Sequence, residues 1–387
     1  MSALRWCWCD PPESQRTKVS DTLKGWLRAA VVPTAGYRLR VESLKTSHLA
    51  QLPNAQPAPY GLNPNSLQGL IVQSWFSRFD DWLPEPLNAR LTRALALIES
   101  GAESVDRVEA LALMRSGNRR QTCWHLDLLA LASPRHFSRH QGLRLLIQEA
   151  LNDQTARNHS WLVRCDSQDR PLLDVLREMG FQPLRRSRIW NPPIAEAEDV
   201  ADPTPAAPLP ASLVWCDLTR NNVRQLLALE QASISPHHRQ ILDRHWNDLL
   251  DLRGGGSKLL VADRDGSRQV IAGLIQRPWG MDAPRLELMR GLAWDERIGA
   301  AMPTALEHLQ QQRPTPSLLV AEDDQTLGGV LDGLGWRPGS LEVMLGRSVW
   351  RRVSQRNLGG IRPLQSMLGR LQPQHPPLPT PSLAPRR

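Results

Sequence analysis

The stretch SRHQGLRLLIQEAL, Ser138 to Leu151, carries a polar, basic run to one glycine and then becomes an amphipathic helix. It follows the apolar run LDLLALASP, which ends at Pro134. A strand that passes through a polar loop and delivers a glycine to a helix start makes an anion site. The first-turn amides lack intrahelical partners, the helix dipole favours negative charge, and a residue without Cβ lets a phosphate approach the backbone. Arg139 adds a charged donor beside Gly142. An isolated glycine there could simply ease a turn into a helix, but a twin, Gly299 in ERIGAAM, argues for the anion site.

Other residues capable of chemistry have plainer readings. Cys7 and Cys9 in CWC have no second cluster to complete a zinc site. His237 and His238 in SPHH lack acidic or cysteine partners at metal-ligand spacing and read as surface residues. RGGGS, Arg253 to Ser257, lacks the lysine of a phosphate-binding loop and reads as a link from helix to strand. AEDD, Ala321 to Asp324, reads as an acidic helix start. No metal is expected.

These residues need elements to hold them. Apolar residues are 41% of the 387 and charged residues 22%, a globular balance with chain enough for two domains. The formal charge of +8 favours anionic partners such as nucleotides, nucleic acid or acidic proteins. Only Lys18, Lys24, Lys45 and Lys258 are lysines, an arginine bias that reflects codon composition more than recognition. Five scattered cysteines without C-x-x-C spacing suit a reducing compartment. No run approaches the roughly 20 apolar residues of a membrane span. The expectation is a soluble, cytoplasmic protein with no membrane partner.

Composition divides the chain into an extension (1–36), a first domain (37–192), a Pro/Ala-rich linker (193–211), a second domain (212–352) and a Pro-rich tail (353–387) expected to be disordered. The second domain reads as a strand (LVWCDL), helices broken near Pro236, a hairpin turning at Asp265 and Gly266, a strand (RLELMRGLAW), a helix, a strand (SLLVAED), a short helix and a last strand. The first domain ends with the same five elements, from the strand CWHLDLLALA to the strand QPLRRSRIW. Asp169 to Gly180 and Asp324 to Gly335 are both 11 positions apart, so the domain is read as duplicated. The fold class is α/β (α+β), two tandem domains, each a mostly antiparallel mixed sheet flanked by helices.

At these residues the chain resembles the GNAT superfamily of acyl-CoA N-acyltransferases. The family's pyrophosphate signature, Gln or Arg, two residues, Gly, one residue, then Gly or Ala, is matched by RHQGLR at Arg139 and Gly142, with Arg144 departing from it. ERIGAA matches at Gly299 and Ala301, with Glu296 departing. DRPLLDVLREMGF and DQTLGGVLDGLGW are similar to the family's usual ending of polar residue, helix, glycine and aromatic.

The resemblance implies two tandem GNAT-like folds and an acyl-CoA cosubstrate, most simply acetyl-CoA. Its pyrophosphate would lie on Arg139, His140, Gln141, Gly142, Leu143 and Arg144, with Asp169 nearby and Gly299, Ala300 and Ala301 as the second copy's counterpart. Pantetheine would lie between splayed fourth and fifth strands, whose amides polarise the thioester. The acceptor, an unidentified amine on a small molecule or protein, must attack as a free base. His125 and Asp127, on one face of CWHLDLL, and Glu287 in the second copy are the candidate bases. Leu176 and Leu331 occupy the place of the tyrosine that often protonates the leaving thiolate. The implied function is N-acetyltransfer with one degenerate copy. The alternatives are a non-catalytic GNAT-fold binding or sensing protein, and a less favoured nucleic-acid-binding or assembly protein using GNRRQ (117–121), LRRSR (184–188) and WRRVSQR (350–356).

Overall fold

The computed structural model describes residues 37–45, 47–48, 92–101, 106–130, 134, 136–152, 160–193, 209–254, 256–264, 267–277, 285–312 and 315–348. The extension at residues 1–36, the Asp265–Gly266 turn, most of the linker, WRRVSQR and the C-terminal tail lie outside these residues.

Strands are β1 (Tyr37–Ser43), β2 (Arg93–Gly101), β3 (Arg107–Ser116), β4 (Cys123–Ala130), β5 (Ser160–Asp166), β6 (Gln182–Asn191), β7 (Leu213–Asp217), β8 (Lys258–Arg264), β9 (Ser267–Arg277), β10 (Arg285–Arg290), β11 (Ser317–Ala321) and β12 (Arg337–Ser348). Helices are α1 (Arg139–Asn152), α2 (Arg170–Glu178), α3 (Val223–Ser233), α4 (Pro236–Leu242), α5 (Trp246–Leu250), α6 (Glu296–Gln310) and α7 (Gln325–Gly333).

The shared spacing of 11 has a local cause. Asp169 caps α2 by accepting from the Leu172 amide at 3.3 Å, and Asp324 caps α7 by accepting from the Leu327 amide at 3.2 Å. Each helix ends on a glycine in the left-handed region, Gly180 at φ +82° and Gly335 at φ +76°. The next residue's amide then donates back across the last turn, Phe181 to the Leu176 carbonyl and Trp336 to the Leu331 carbonyl, both at 3.0 Å. This turn drives Phe181 and Trp336 into the core, each burial stabilising by about 2–3 kcal/mol.

The strands form one sheet in the order β1-β2-β3-β4-β5-β12-β6-β11-β10-β9-β8-β7. Among the described strands only β4–β5 and β10–β11 pair in parallel. The order reads alike from either edge, with a pseudo-twofold between β12 and β6. The mixed, mostly antiparallel sheet flanked by helices is as expected. The allocation of strands differs: β12, from the second half, pairs with β5, and β6, from the first half, pairs with β11. Two last strands in like positions offer each edge, β5 and β11, a choice of partner, and the chain takes the exchanged one.

Helices α1 and α2 pack with Trp161, Val163 and Val343 in one core, α6 and α7 with Trp190, Leu318 and Trp336 in another. Val343 pairs with Arg186, in step with Trp190 on β6, so both cores lie on the same face of the sheet. Helices α3 and α5 pack on the opposite face of the second half, over Leu259, Ile275 and Met289. From there α4 crosses onto the first half, where Ile241 and Leu242 pack on Cys123, Leu162 and Met344.

Candidate functional site

Parallel pairing of β4 with β5 runs from Cys123–Ser160 to Leu126–Val163 and stops, although both strands continue. In the second half, β10 and β11 pair from Arg285–Ser317 to Glu287–Leu319 and then part in the same way. Each half therefore has a fork whose inner backbone groups are not used by the neighbouring strand, and each fork is followed by a helix.

At the first fork, α1 starts at Arg139. The Ser138 hydroxyl accepts from the Gln141 amide at 3.1 Å, and the Ser138 carbonyl accepts from the Gly142 amide at 3.1 Å. The Gly142 amide is thus spent inside the helix, and the amides of Arg139 and His140 precede it in the first turn. A Cβ on Gly142 would come within 2.5 Å of Phe137 and 2.9 Å of Leu97. Gly142 and Leu143 are buried, and packing explains the glycine that the sequence offered as a phosphate contact. Arg144 is exposed. Arg139 Nη2 donates to Asp169 Oδ2 at 2.7 Å, and His140 Nε2 lies 3.0 Å from Glu178 Oε1.

At the second fork the helix N-terminus already holds a carboxylate. Asp295 caps α6 by accepting from the Arg297 amide at 3.0 Å, and the Arg297 guanidinium grips both its oxygens. The Arg297 hydrogen bonds hold the Asp295 carboxyl below its ordinary range despite partial burial. Gly299 is half-buried, and a Cβ there would meet only ordinary contact with Trp294 at 3.5 Å. Ala300 is exposed, and Ala301 is buried with its carbonyl accepting from Trp215 Nε1 at 3.1 Å. The two N-termini therefore differ in charge: a neutral hydroxyl in the first half and a carboxylate in the second.

His125, Asp127 and Glu287 all lie on the sheet face away from α1 and α6. His125 is buried, its ring against Gly117, where a Cβ would come within 2.6 Å of Nε2. Burial first, then the nearby charges of Arg244, Arg115, Arg164 and Arg277, hold it well below the usual imidazole range, so it is neutral. Asp127 is ion-paired with Arg115 across β3 and β4. Glu287 sits in an arginine cage: Arg277 Nε donates to Oε2 at 2.7 Å, Arg185 Nη1 to Oε1 at 2.5 Å, and Arg164 Nη2 lies 3.9 Å away. Burial alone would raise its affinity for a proton, but these three cations outweigh it and hold the carboxyl well below the usual range. A carboxylate so held is a poor base.

The cage extends through residues that the sequence reading missed. Arg277 also reaches Glu230 of α3 at 3.5 Å, and Glu230 pairs with Arg244. Its signal was available, since Glu230 falls on the buried stripe of Val223 and Leu226. His238, read as a surface residue, is buried against this cluster with its Nε2 unbonded. The α4 helix turns that side inward to seat Ile241 and Leu242.

Of the basic clusters, GNRRQ and LRRSR are largely engaged within the chain. Arg119 pairs with Asp251, Arg120 with Asp243, Arg185 with Glu287 and Arg186 with Glu322. Burial pushes the Cys123 and Cys165 thiols up to about 12, which leaves them unreactive. Among the described residues no group of three or more His, Cys, Asp or Glu side chains could hold a metal ion, and no helix is long and apolar enough to cross a membrane.

No protein-family model and no curated protein matches the chain. Solved structures do. A Drosophila protein is 12% identical with a TM-score of 0.50, covering 80% of this chain and 98% of its own. A GCN5-related N-acetyltransferase from Sphaerobacter thermophilus is 14% identical with a TM-score of 0.49, covering 80% of this chain and 95% of its own. A tandem GNAT protein from the clavulanic acid biosynthesis pathway is 13% identical with a TM-score of 0.48, covering 81% and 99%. At these identities a likeness shows fold alone, and of these three only the Drosophila protein reaches a TM-score of 0.50.

Proposed function

We propose that this chain is an acyl-CoA-dependent N-acyltransferase, most simply an acetyltransferase, built from two GNAT-like halves (37–192 and 212–352) with the cosubstrate on the first. The asymmetry of the helix N-termini carries this reading. A neutral Ser138 cap leaves the dipole and first-turn amides of α1 to an external phosphate, with the Arg139 guanidinium beside them. The Asp295 carboxylate already occupies the equivalent place on α6, which makes the second copy the degenerate one.

Acyl-CoA, when bound, supplies an activated thioester. The chain's own groups do the rest. Backbone amides of β4 beyond Leu126, freed by the fork, offer hydrogen bonds to the oxygen on which negative charge develops. As the amine nitrogen bonds to the thioester carbon, the C–S bond would break, CoA would leave as the thiolate and the amine's proton would pass to water, while His125, buried and neutral, shapes that face without touching the amine. Glu287 keeps its arginines and orders that face, taking no part in proton transfer. The acceptor is an amine on a small molecule or a protein.

A non-catalytic acyl-CoA-binding protein is the second reading. Leu176 and Leu331, at the place of the family's tyrosine, are completely buried core residues. The test is calorimetric titration with acetyl-CoA of the wild type, Arg139→Ala and Ser138→Asp. Ser138→Asp keeps the cap but gives α1 the charge of α6, so it should abolish binding while the fold persists. Binding that both variants leave intact would remove the cosubstrate from this helix. Binding without turnover across an amine screen would favour the second reading.

A further inference from the structure

On the face that carries α3 to α5, the turn between β3 and β4 docks on the second half. Asn118 Nδ2 donates to the Leu242 and Asp243 carbonyls, each at 3.1 Å, and the Arg119 amide donates to Asp248 Oδ1 at 2.8 Å. Beside this seam opens a pocket of ≈ 420 Å³ lined by Arg119, Arg220, Leu250, Asp251 and Arg253. That volume lies within the range of small-molecule sites.

We propose that this pocket binds a small phosphoryl-bearing anion. Three guanidiniums face one carboxylate. That carboxylate is consumed, since Arg119 donates to both oxygens of Asp251 at 2.7 and 2.8 Å. Arg220 and Arg253 have no ion pair among the described residues. Asp217, whose charge Arg253 feels, is engaged by Lys258 at 2.7 Å. All three cations are arginines, whose planar forks match phosphate oxygens two at a time. Leu250 supplies an apolar wall against which an organic portion can rest. The loop bearing Arg253 turns at Gly254 (φ +99°) and Gly256 (φ +88°), a backbone path that side chains larger than glycine resist. This gives the RGGGS segment a role beyond connection. The site lies on the acceptor-side helices, away from the N-terminus of α1, and does not depend on acyl-CoA binding. Because Arg119 comes from the first half and the other lining residues from the second, only the docked halves complete the pocket.

The test is calorimetric titration of the full chain with inorganic pyrophosphate and, separately, ATP, at matched ionic strength. Saturable binding is expected in a Ser138→Asp chain, whose α1 N-terminus no longer competes for phosphate, and should weaken at least about tenfold when Arg220→Ser and Arg253→Ser are added to it. Both arginines are exposed, so circular dichroism should show the double variant folded. Tighter binding of ATP would identify an organic phosphate as the source, and tighter binding of pyrophosphate an inorganic one. Absence of saturable binding on the order of 10 mM, or equal binding by the double variant, would overturn the proposal.

Discussion

Arg290 Nη2 lies 2.7 Å from Asp324 Oδ2, so one carboxylate both caps α7 and anchors the end of β10. The first half repeats the device with Arg139 and Asp169 at 2.7 Å, but there the arginine comes from the first residue of α1. The pair in the second half is mostly buried, whereas Arg139 is 44% exposed.

Removing these carboxylates should have unequal effects. Asp324→Ala loses a cap and a shielded ion pair, for about 2 kcal/mol, while Asp169→Ala loses the cap and a screened pair, for about 1 kcal/mol. Urea unfolding of the two variants would measure the difference. Equal losses would mean that exposure does not set the pair's worth.

The two helix-start glycines should respond in opposite directions to a methyl group. Gly142→Ala forces Phe137 and Leu97 apart and should cost about 1–3 kcal/mol. Gly299→Ala finds ordinary contact and should stabilise α6 by up to about 1 kcal/mol. Thermal unfolding of both variants checks this.

Glu287→Gln should destabilise by about 3–5 kcal/mol, because Arg277 and Arg185 lose the charge that balances them in the interior. The lowered carboxyl gives stability that is complete above the unfolded value of about 4.3 and is lost as pH falls below it toward the folded value. Acid unfolding of the variant should therefore lose part of its pH dependence.

His238 acts in a higher window. Burial, with Arg185, Arg277 and Arg244 adding to it against the opposing Glu287 charge, lowers the imidazole to about 3. The unfolded chain takes up a proton near 6.5, so stability should fall with decreasing pH between these values by about 1.4 kcal/mol per unit. His238→Phe should flatten that slope and leave stability near pH 8 within about 1 kcal/mol, since the unbonded Nε2 contributes no hydrogen bond. Denaturant titrations at several pH values would show it.

Strands β1, β2 and β3 were not legible in the sequence. ALALI in β2 and EALALM in β3 are buried on both faces, so they lack the alternation that marks a strand, and alanine and leucine favour helix. Glu287 was legible as a polar residue on a strand, but not its state. The arginines that fix its charge come from β5, β6 and β9; Arg277 is 10 positions away, but Arg185 is 102.

What the sequence alone determined is local. Both cap-to-cap helices follow from Asp169, Gly180 and Phe181 and from Asp324, Gly335 and Trp336, because amides and carbonyls within one helix satisfy each other whatever lies outside. Only the tertiary structure decided which last strand completes which half and what Gly142 faces. Two similar strands satisfy the same edge, and long-range packing of α4 across β5 and β12 accompanies the exchanged pairing. The same pairing sets the Arg164 and Arg185 strands on either side of β12, within reach of Glu287, and so fixes the charge of that face of the sheet.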